Sequence, residues 1–156
     1  VMFKSPTCTQ RDIDIANRMA RIANVSLDEL GKAIFSAACG DDKTVDAMLK
    51  TDYKEFHIAG HDLAVSQITC MDSDRLLQRK QDFLTAMAAI RKARGLDTVV
   101  LMITDVLLEG SQILFTGDED TIRQAFNIKT DDNCAFLPKI MSRKKQVIPM
   151  LSDLWG

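Results

Sequence analysis

The sequence predicts an α/β domain: a mixed sheet of about four or five strands, flanked by helices and preceded by a helical pair. Three observations carry that expectation. Thr98 to Thr104 is a near-continuous β-branched and apolar run, the pattern of a strand buried on both faces. Phe56 and Ile58 alternate with Glu55 and His57, the period of a half-buried strand. Leu76, Leu77, Phe83, Leu84, Met87 and Ile90 recur along one helical stripe. At 156 residues the chain has the length of one domain and can bury one substantial core.

The elements come in the following order. Residues 1–8 read as a linker, because Ser5-Pro6-Thr7 interrupts regular structure, and residues 9–156 as the domain. Thr9 precedes Asp12 by three residues, a loose capping box that opens a helix to about Ala23. Ser26 and Glu29 form a second box, predicting a helix from Leu27 to about Ala38 that stops at Gly40. A short helix near Thr44 to Leu49 comes next. The strand through Phe56 then turns at Gly60 into an extended run over residues 63–69. Ser73 is the expected cap of the longest helix, about residues 74–94, which Gly95 ends. Beyond the central strand, Gln112 to Thr116 reads as a strand. Residues 119–126 read as a helix, with Asp118, Glu119 and Asp120 at its positive end, and Cys134 to Leu137 as a short strand. Pro149 is tolerated only in a first turn, so the last helix should begin near Lys145 to Pro149.

Composition narrows the function classes. The chain is 46% hydrophobic and 27% charged, ordinary for a soluble domain. A net charge of −2 gives no reason to expect nucleic acid or an anionic membrane as partner. The longest apolar runs, Val99 to Ile103 and Val106 to Leu108, fall far short of the roughly 20 residues of a membrane span. No signal-like segment opens the chain, and its start at Val1 leads us to expect a piece of a longer protein. Cys8, Cys39, Cys70 and Cys134 are widely spaced, which fits reduced thiols and a cytoplasmic setting.

Few residues invite chemistry. His57 and His61 have metal-pair spacing only if helical; across a strand and turn they are expected to be exposed hairpin residues rather than ligands. Thr104-Asp105, at a strand end, is expected to make a structural turn. Asp118-Glu119-Asp120 reads as a helix start and Asp131-Asp132-Asn133 as a loop. No phosphate-cradling glycine loop occurs. The strongest feature is Ser142-Arg143-Lys144-Lys145-Gln146. The segment from Lys139 to Lys145 holds four basic residues and no acid, whereas the rest of the chain has 16 basic against 22 acidic residues, a balance of −6. The last helix is expected to start inside this cluster, so its unpaired amides would add to an oxyanion site. Arginine offers a fork for two phosphate oxygens and lysine a point charge. The bland alternative is a solvated basic turn. In either reading the turn is expected to be exposed, and replacing Arg143 to leave folding nearly unchanged.

Ser142-Arg143-Lys144-Lys145-Gln146-Val147-Ile148-Pro149 resembles the C-terminal hallmark of manganese-dependent (family II) inorganic pyrophosphatases, in their second DHH-associated domain. The likeness extends through Leu101-Met102-Ile103-Thr104-Asp105, Lys54-Glu55-Phe56 and Asp42-Lys43-Thr44-Val45, and Ser5-Pro6-Thr7 resembles the linker before that domain. The resemblance implies a parent enzyme that hydrolyses pyrophosphate to two phosphates. Its N-terminal DHH domain would hold Mn²⁺ (or Mg²⁺ or Co²⁺), and this domain would close over the site. It implies no catalytic residue and no metal ligand in this chain, which would be inactive alone. Arg143 and Lys144 would bind the phosphoryl group and Lys145 would support them. At the position of a family substrate-binding lysine this chain has Ser36, with Lys32 four residues earlier on the same helical face. The same domain of an exopolyphosphatase, or a non-catalytic anion-binding regulatory module, are the rival readings.

Overall fold

The computed structural model describes residues 8–23, 26, 29, 30, 33 and 43–156. The expected linker, up to Thr7, and most of the predicted Leu27–Ala38 helix lie outside the described residues. Lys32 and Ser36 lie outside them too.

Helix α1 is Gln10–Ala23. Its start is the reciprocal box expected from the sequence. Asp12 N donates to Thr9 Oγ1 at 3.2 Å and Thr9 N donates to Asp12 Oδ2 at 2.8 Å. The Thr9 backbone amide, and after it the Thr9 hydroxyl, lower the pKa of Asp12. Helix α2, Val45–Thr51, is capped by Thr44, whose side chain accepts from the Ala47 amide.

Five strands come next: β1 (Tyr53–Ile58), β2 (His61–Cys70), β3 (Thr98–Asp105), β4 (Gly110–Gly117) and β5 (Cys134–Pro138). They lie in sequence order across one sheet. Only β2 and β3 are parallel; the other three pairings are antiparallel. The architecture is therefore the mixed, helix-flanked sheet that the sequence predicts. The β1–β2 hairpin closes on Ala59 and Gly60, both at positive φ (49° and 85°), with Ile58 paired to His61. This is the backbone hand that two-residue hairpins favour.

A parallel pair needs a crossover. Two helices provide it, α3 (Ser73–Leu77) and α4 (Lys80–Arg94). The single helix expected over residues 74–94 is thus broken near Gln78 and Arg79, and its cap is Asp72, which accepts from the Arg75 amide, rather than Ser73. Ser73 is instead buried, its amide donating to Asp105 Oδ2 at 2.9 Å. Gly95 ends α4 in the left-handed region, as expected. Helix α5 is Glu119–Ala125 and α6 is Ile148–Trp155, entered through a π-helical turn at Arg143–Val147.

All eight residues of β3 are buried, so its apolar run packs on both faces. On one face Ala64, Ile68, Val99, Leu101, Ile103 and Leu114 meet α2, α3 and α4 through Leu49, Leu76, Phe83 and Met87. On the other, Leu63, Val65, Val100, Met102, Ile113 and Phe115 meet α5 and α6 through Ile122, Val147 and Leu151. The second layer seats the basic turn, because Val147 and Leu151 drive its flanking helix onto the sheet.

Candidate functional site

The apolar rows of that second face end in a polar row. Strand alternation puts Gln67, Thr104 and Ser111 on the same side as Val65, Met102 and Ile113. Thr104 Oγ1 and Ser111 Oγ are 2.9 Å apart, Ser111 Oγ donates to the Ile140 carbonyl at 2.5 Å, and Gln67 Nε2 donates to Thr104 Oγ1 at 3.0 Å. Gln67 Nε2 also donates to the Met141 carbonyl at 3.1 Å. Strands β2 and β4, bridged by Thr104 on β3, thereby hold residues 140–141, immediately before the basic turn.

The turn is gripped from its other side by its own last polar residue. Gln146 Oε1 accepts from Met141 N (2.8 Å) and Ser142 N (2.9 Å), while its Nε2 donates to the Lys139 carbonyl (2.8 Å). Ser142 caps the turn: its Oγ accepts from Lys145 N at 3.2 Å. The Ser142 carbonyl accepts from both Gln146 N and Val147 N, at 3.0 and 3.2 Å, and the second bond is the wide turn itself. Such π-turns recur at functional sites. The last α-helix therefore begins at Ile148, within the range expected for it, and the π-turn that leads into it begins at Arg143, inside the basic cluster.

Arg143 corrects the expectation of an exposed turn. Only 8% of it is accessible. Its Nη1 donates to the carbonyls of Asp52 (2.8 Å) and Val65 (3.1 Å), and its Nη2 donates to Asp52 Oδ1 at 2.7 Å. The reason is position: the α6 side of the turn is pulled onto the sheet by buried Val147, and the guanidinium meets the carbonyls beneath it, adding to the bond that the Asp52 carbonyl accepts from Gln67 N. Lys144 and Lys145 are exposed. Lys139 is also exposed and lies 3.6 Å from Glu109. So the cluster divides into one fixed arginine and lysines open to solvent, beside the first amides of a helical segment that lack intrahelical acceptors.

The remaining candidates serve the fold. Asp105 Oδ1 accepts from Leu107 N and Leu108 N, and Oδ2 from Ser73 N, so the Thr104-Asp105 strand end is a structural turn as expected. Asp118 caps α5, accepting from Thr121 N and Thr121 Oγ1. Asp132 sits 2.7 Å from Lys80, whose ammonium lowers its pKa. His57 is exposed, its Nδ1 2.6 Å from Asp62 Oδ1, and His61 stacks on Trp155 with ring centroids 4.4 Å apart. Among the described residues, no three His, Cys, Asp or Glu side chains come together as a metal site. Among them, too, no helix is long and apolar enough to cross a membrane.

Asp52, Gln67 and Ser111 are absent from the residues the sequence singled out for function. Gln67, Thr104 and Ser111 left a faint signal, as polar residues on strand faces otherwise filled with apolar side chains. Asp52, at the end of a short helix, left none.

Comparison with known proteins bears on this arrangement. The DHHA2 domain family matches residues 32–154, most of the chain. The chain belongs to the DHHA2 domain family. Relatives of this DHHA2 domain include the "Probable manganese-dependent inorganic pyrophosphatase" of Enterococcus faecalis (strain ATCC 700802 / V583), 40% identical over 158 residues, covering 100% of this chain and 51% of that protein. The protein of the same name from Staphylococcus haemolyticus (strain JCSC1435) is 38% identical over 155 residues, 98% of this chain and 50% of that protein. Among solved structures, the "putative family II inorganic pyrophosphatase" of Methanococcus jannaschii superposes with a TM-score of 0.83 at 33% identity. That match covers 98% of this chain and 50% of the other. The DHHA2 domain thus spans about half the length of the relatives it matches.

Proposed function

We propose that this DHHA2 domain binds the phosphoryl groups of pyrophosphate in a cytoplasmic, manganese-dependent inorganic pyrophosphatase, whose other half is a DHH domain carrying the metal. The observation that carries the reading is the basic turn: Arg143 is fixed in the sheet, while Lys144 and Lys145 stand free at the start of the last helix. Phosphoryl transfer asks the protein for charge neutralisation and positioning more than for covalent chemistry, and a pre-set guanidinium with two lysines supplies both. Mn²⁺ on the other half would activate the attacking water. Lys32 and Ser36 would complete the grip from the second predicted helix, and residues 1–8 would tether the two halves and let them close.

The test is steady-state hydrolysis of pyrophosphate by the longer protein that contains this domain. Lys144→Ala should slow turnover by on the order of a hundredfold, as loss of a transition-state donor does, with unchanged thermal melts. Near-normal turnover would leave the basic turn a solvated surface feature. Limited proteolysis between Ser5 and Cys8 should slow when substrate is bound; equal cutting would argue against closure.

A further inference from the structure

We propose that Asp52 holds the place of the substrate: its carboxylate occupies the Nη2 arm of the Arg143 guanidinium that a phosphoryl oxygen takes over, so Asp52 sets the affinity of the site. The inference rests on the proposed pyrophosphate-binding role and deepens it. The two nitrogens of the fork are held differently. Nη1 is committed to two main-chain carbonyls, Asp52 O and Val65 O, which belong to the sheet and its approach and cannot leave. Nη2 is committed to a side chain, Asp52 Oδ1 at 2.7 Å. That side chain is 46% exposed, whereas Arg143 is 8% exposed. The buried partner is therefore fixed and the half-exposed partner is free to move. An oxyanion arriving at the Asp52 side would find the guanidinium already oriented, need no rearrangement of Nη1, and displace a carboxylate that water can receive.

The exchange stems from the chemistry of both anions. A carboxylate and a phosphoryl group both offer Nη2 an anionic oxygen acceptor. Leaving Nη2 without any acceptor in a site this enclosed would carry the penalty of an unpaired buried donor. Asp52 removes that penalty while the site is empty and competes with the ligand when it arrives. Apparent affinity is then the intrinsic affinity scaled by the fraction of arginine released. Neutralising Asp52 should raise affinity, whereas an Asp52 that orients Arg143 for a bound ligand would give a loss of affinity on neutralisation.

The experiment is a titration of this chain with inorganic pyrophosphate, following the backbone amide shifts of Lys144 and Lys145 by NMR. Wild type is compared with Asp52→Asn, which keeps one oxygen for Nη2, and with Asp52→Ser as a second variant. Asp46→Asn, a neutralisation on α2, the helix that Asp52 follows, at a residue that does not bond Arg143, controls for the general field. Both Asp52 variants should bind about two- to tenfold more tightly than wild type, the worth of a partly exposed ion pair. Asp46→Asn should stay within about twofold of wild type, since exposed charges farther off are screened. Unchanged or weaker binding by the Asp52 variants overturns the inference while the site reading stands, and so does an equal gain in Asp46→Asn. Absence of binding by wild type and all variants overturns both.

Discussion

The side-chain amide of Gln67 donates to the carbonyl of Met141 at 3.1 Å, across 74 residues of sequence. The contact ties the parallel heart of the sheet to the residue just before the basic turn. The same nitrogen donates to Thr104, so both of its hydrogens are used inside the domain. Gln67→Leu keeps the volume and removes both bonds, leaving the Met141 carbonyl and the Thr104 hydroxyl short of a donor. We expect a loss of about 1–3 kcal/mol in stability, the usual cost of unsatisfied, largely buried polar groups. Urea denaturation of wild type and variant measures it. An unchanged midpoint at unchanged slope would mean that water replaces the amide at no cost.

Arg143 makes a sharper stability prediction. Truncation to alanine strips the Asp52 and Val65 carbonyls of a charged donor and opens a void beside Val147. Arg143→Ala should lower stability by on the order of 2 kcal/mol or more, because bonds from charged groups contribute about 1.5–3 kcal/mol. Arg143→Lys should recover only part of this, since one ammonium cannot serve carbonyls and carboxylate in the guanidinium's flat geometry. Thermal melts of the two variants distinguish this from a loop arginine, for which both would melt like wild type.

The contrast between Arg143 and Lys144 marks what the sequence could convey. Alternation, β-branched runs, the Thr9 box and Gly95 reveal strands, helices and their ends, because each depends on neighbours within a few residues. The Ser142–Gln146 segment is readable as a cation cluster for the same reason. Which of its cations is buried is not legible in the sequence. That depends on Val147 seating the turn on the sheet and on the carbonyls of Asp52 and Val65, 91 and 78 residues away from Arg143. Gln67 and Ser111 escape sequence reasoning for a like cause: a polar residue on a strand acquires meaning only when its cross-strand partners are known. The break between α3 and α4 is hidden because the apolar stripe runs on across Gln78 and Arg79.

Gln146 tests whether the π-turn needs its internal clamp. Its oxygen takes two amide hydrogens and its nitrogen reaches Lys139. Gln146→Glu keeps the acceptors, loses the donor, and sets a negative charge one turn from the lysines. Stability should change by about 1 kcal/mol or less, the worth of one exposed neutral hydrogen bond, while pyrophosphate binding weakens. Gln146→Ala should cost more stability than Gln146→Glu, because Met141 N and Ser142 N then lose their acceptor. Equal destabilisation of the two would show that the amides find water as readily as the side chain.

Arg94, in the last turn of α4, meets Glu55 on β1 through two parallel bonds, Nε to Oε1 at 2.7 Å and Nη2 to Oε2 at 3.0 Å. The Tyr53 hydroxyl adds a third at 2.8 Å. The Arg94 guanidinium, helped by that hydroxyl, pulls the Glu55 carboxyl from 4.5 down to about 2. A carboxyl that is more acidic in the folded chain favours folding at every pH above its unfolded value, and the benefit erodes between 4.5 and about 2 as the folded form takes up its proton. Tyr53 behaves in the opposite sense. Burial first, and then its bond to Glu55, push its hydroxyl from 10.0 up to about 12. The folded chain therefore keeps a proton that the unfolded chain has released, and stability falls as pH rises through that interval. Urea midpoints of Glu55→Gln and wild type should differ near neutrality and converge below about pH 2, and added salt should narrow the neutral difference because the pair is solvent-accessible. Tyr53→Phe should flatten the alkaline limb while leaving most of the acid limb, which depends mainly on Arg94. If Glu55→Gln shifted the midpoint by the same amount at every pH, the Arg94 pairing would contribute through shape and packing rather than through charge.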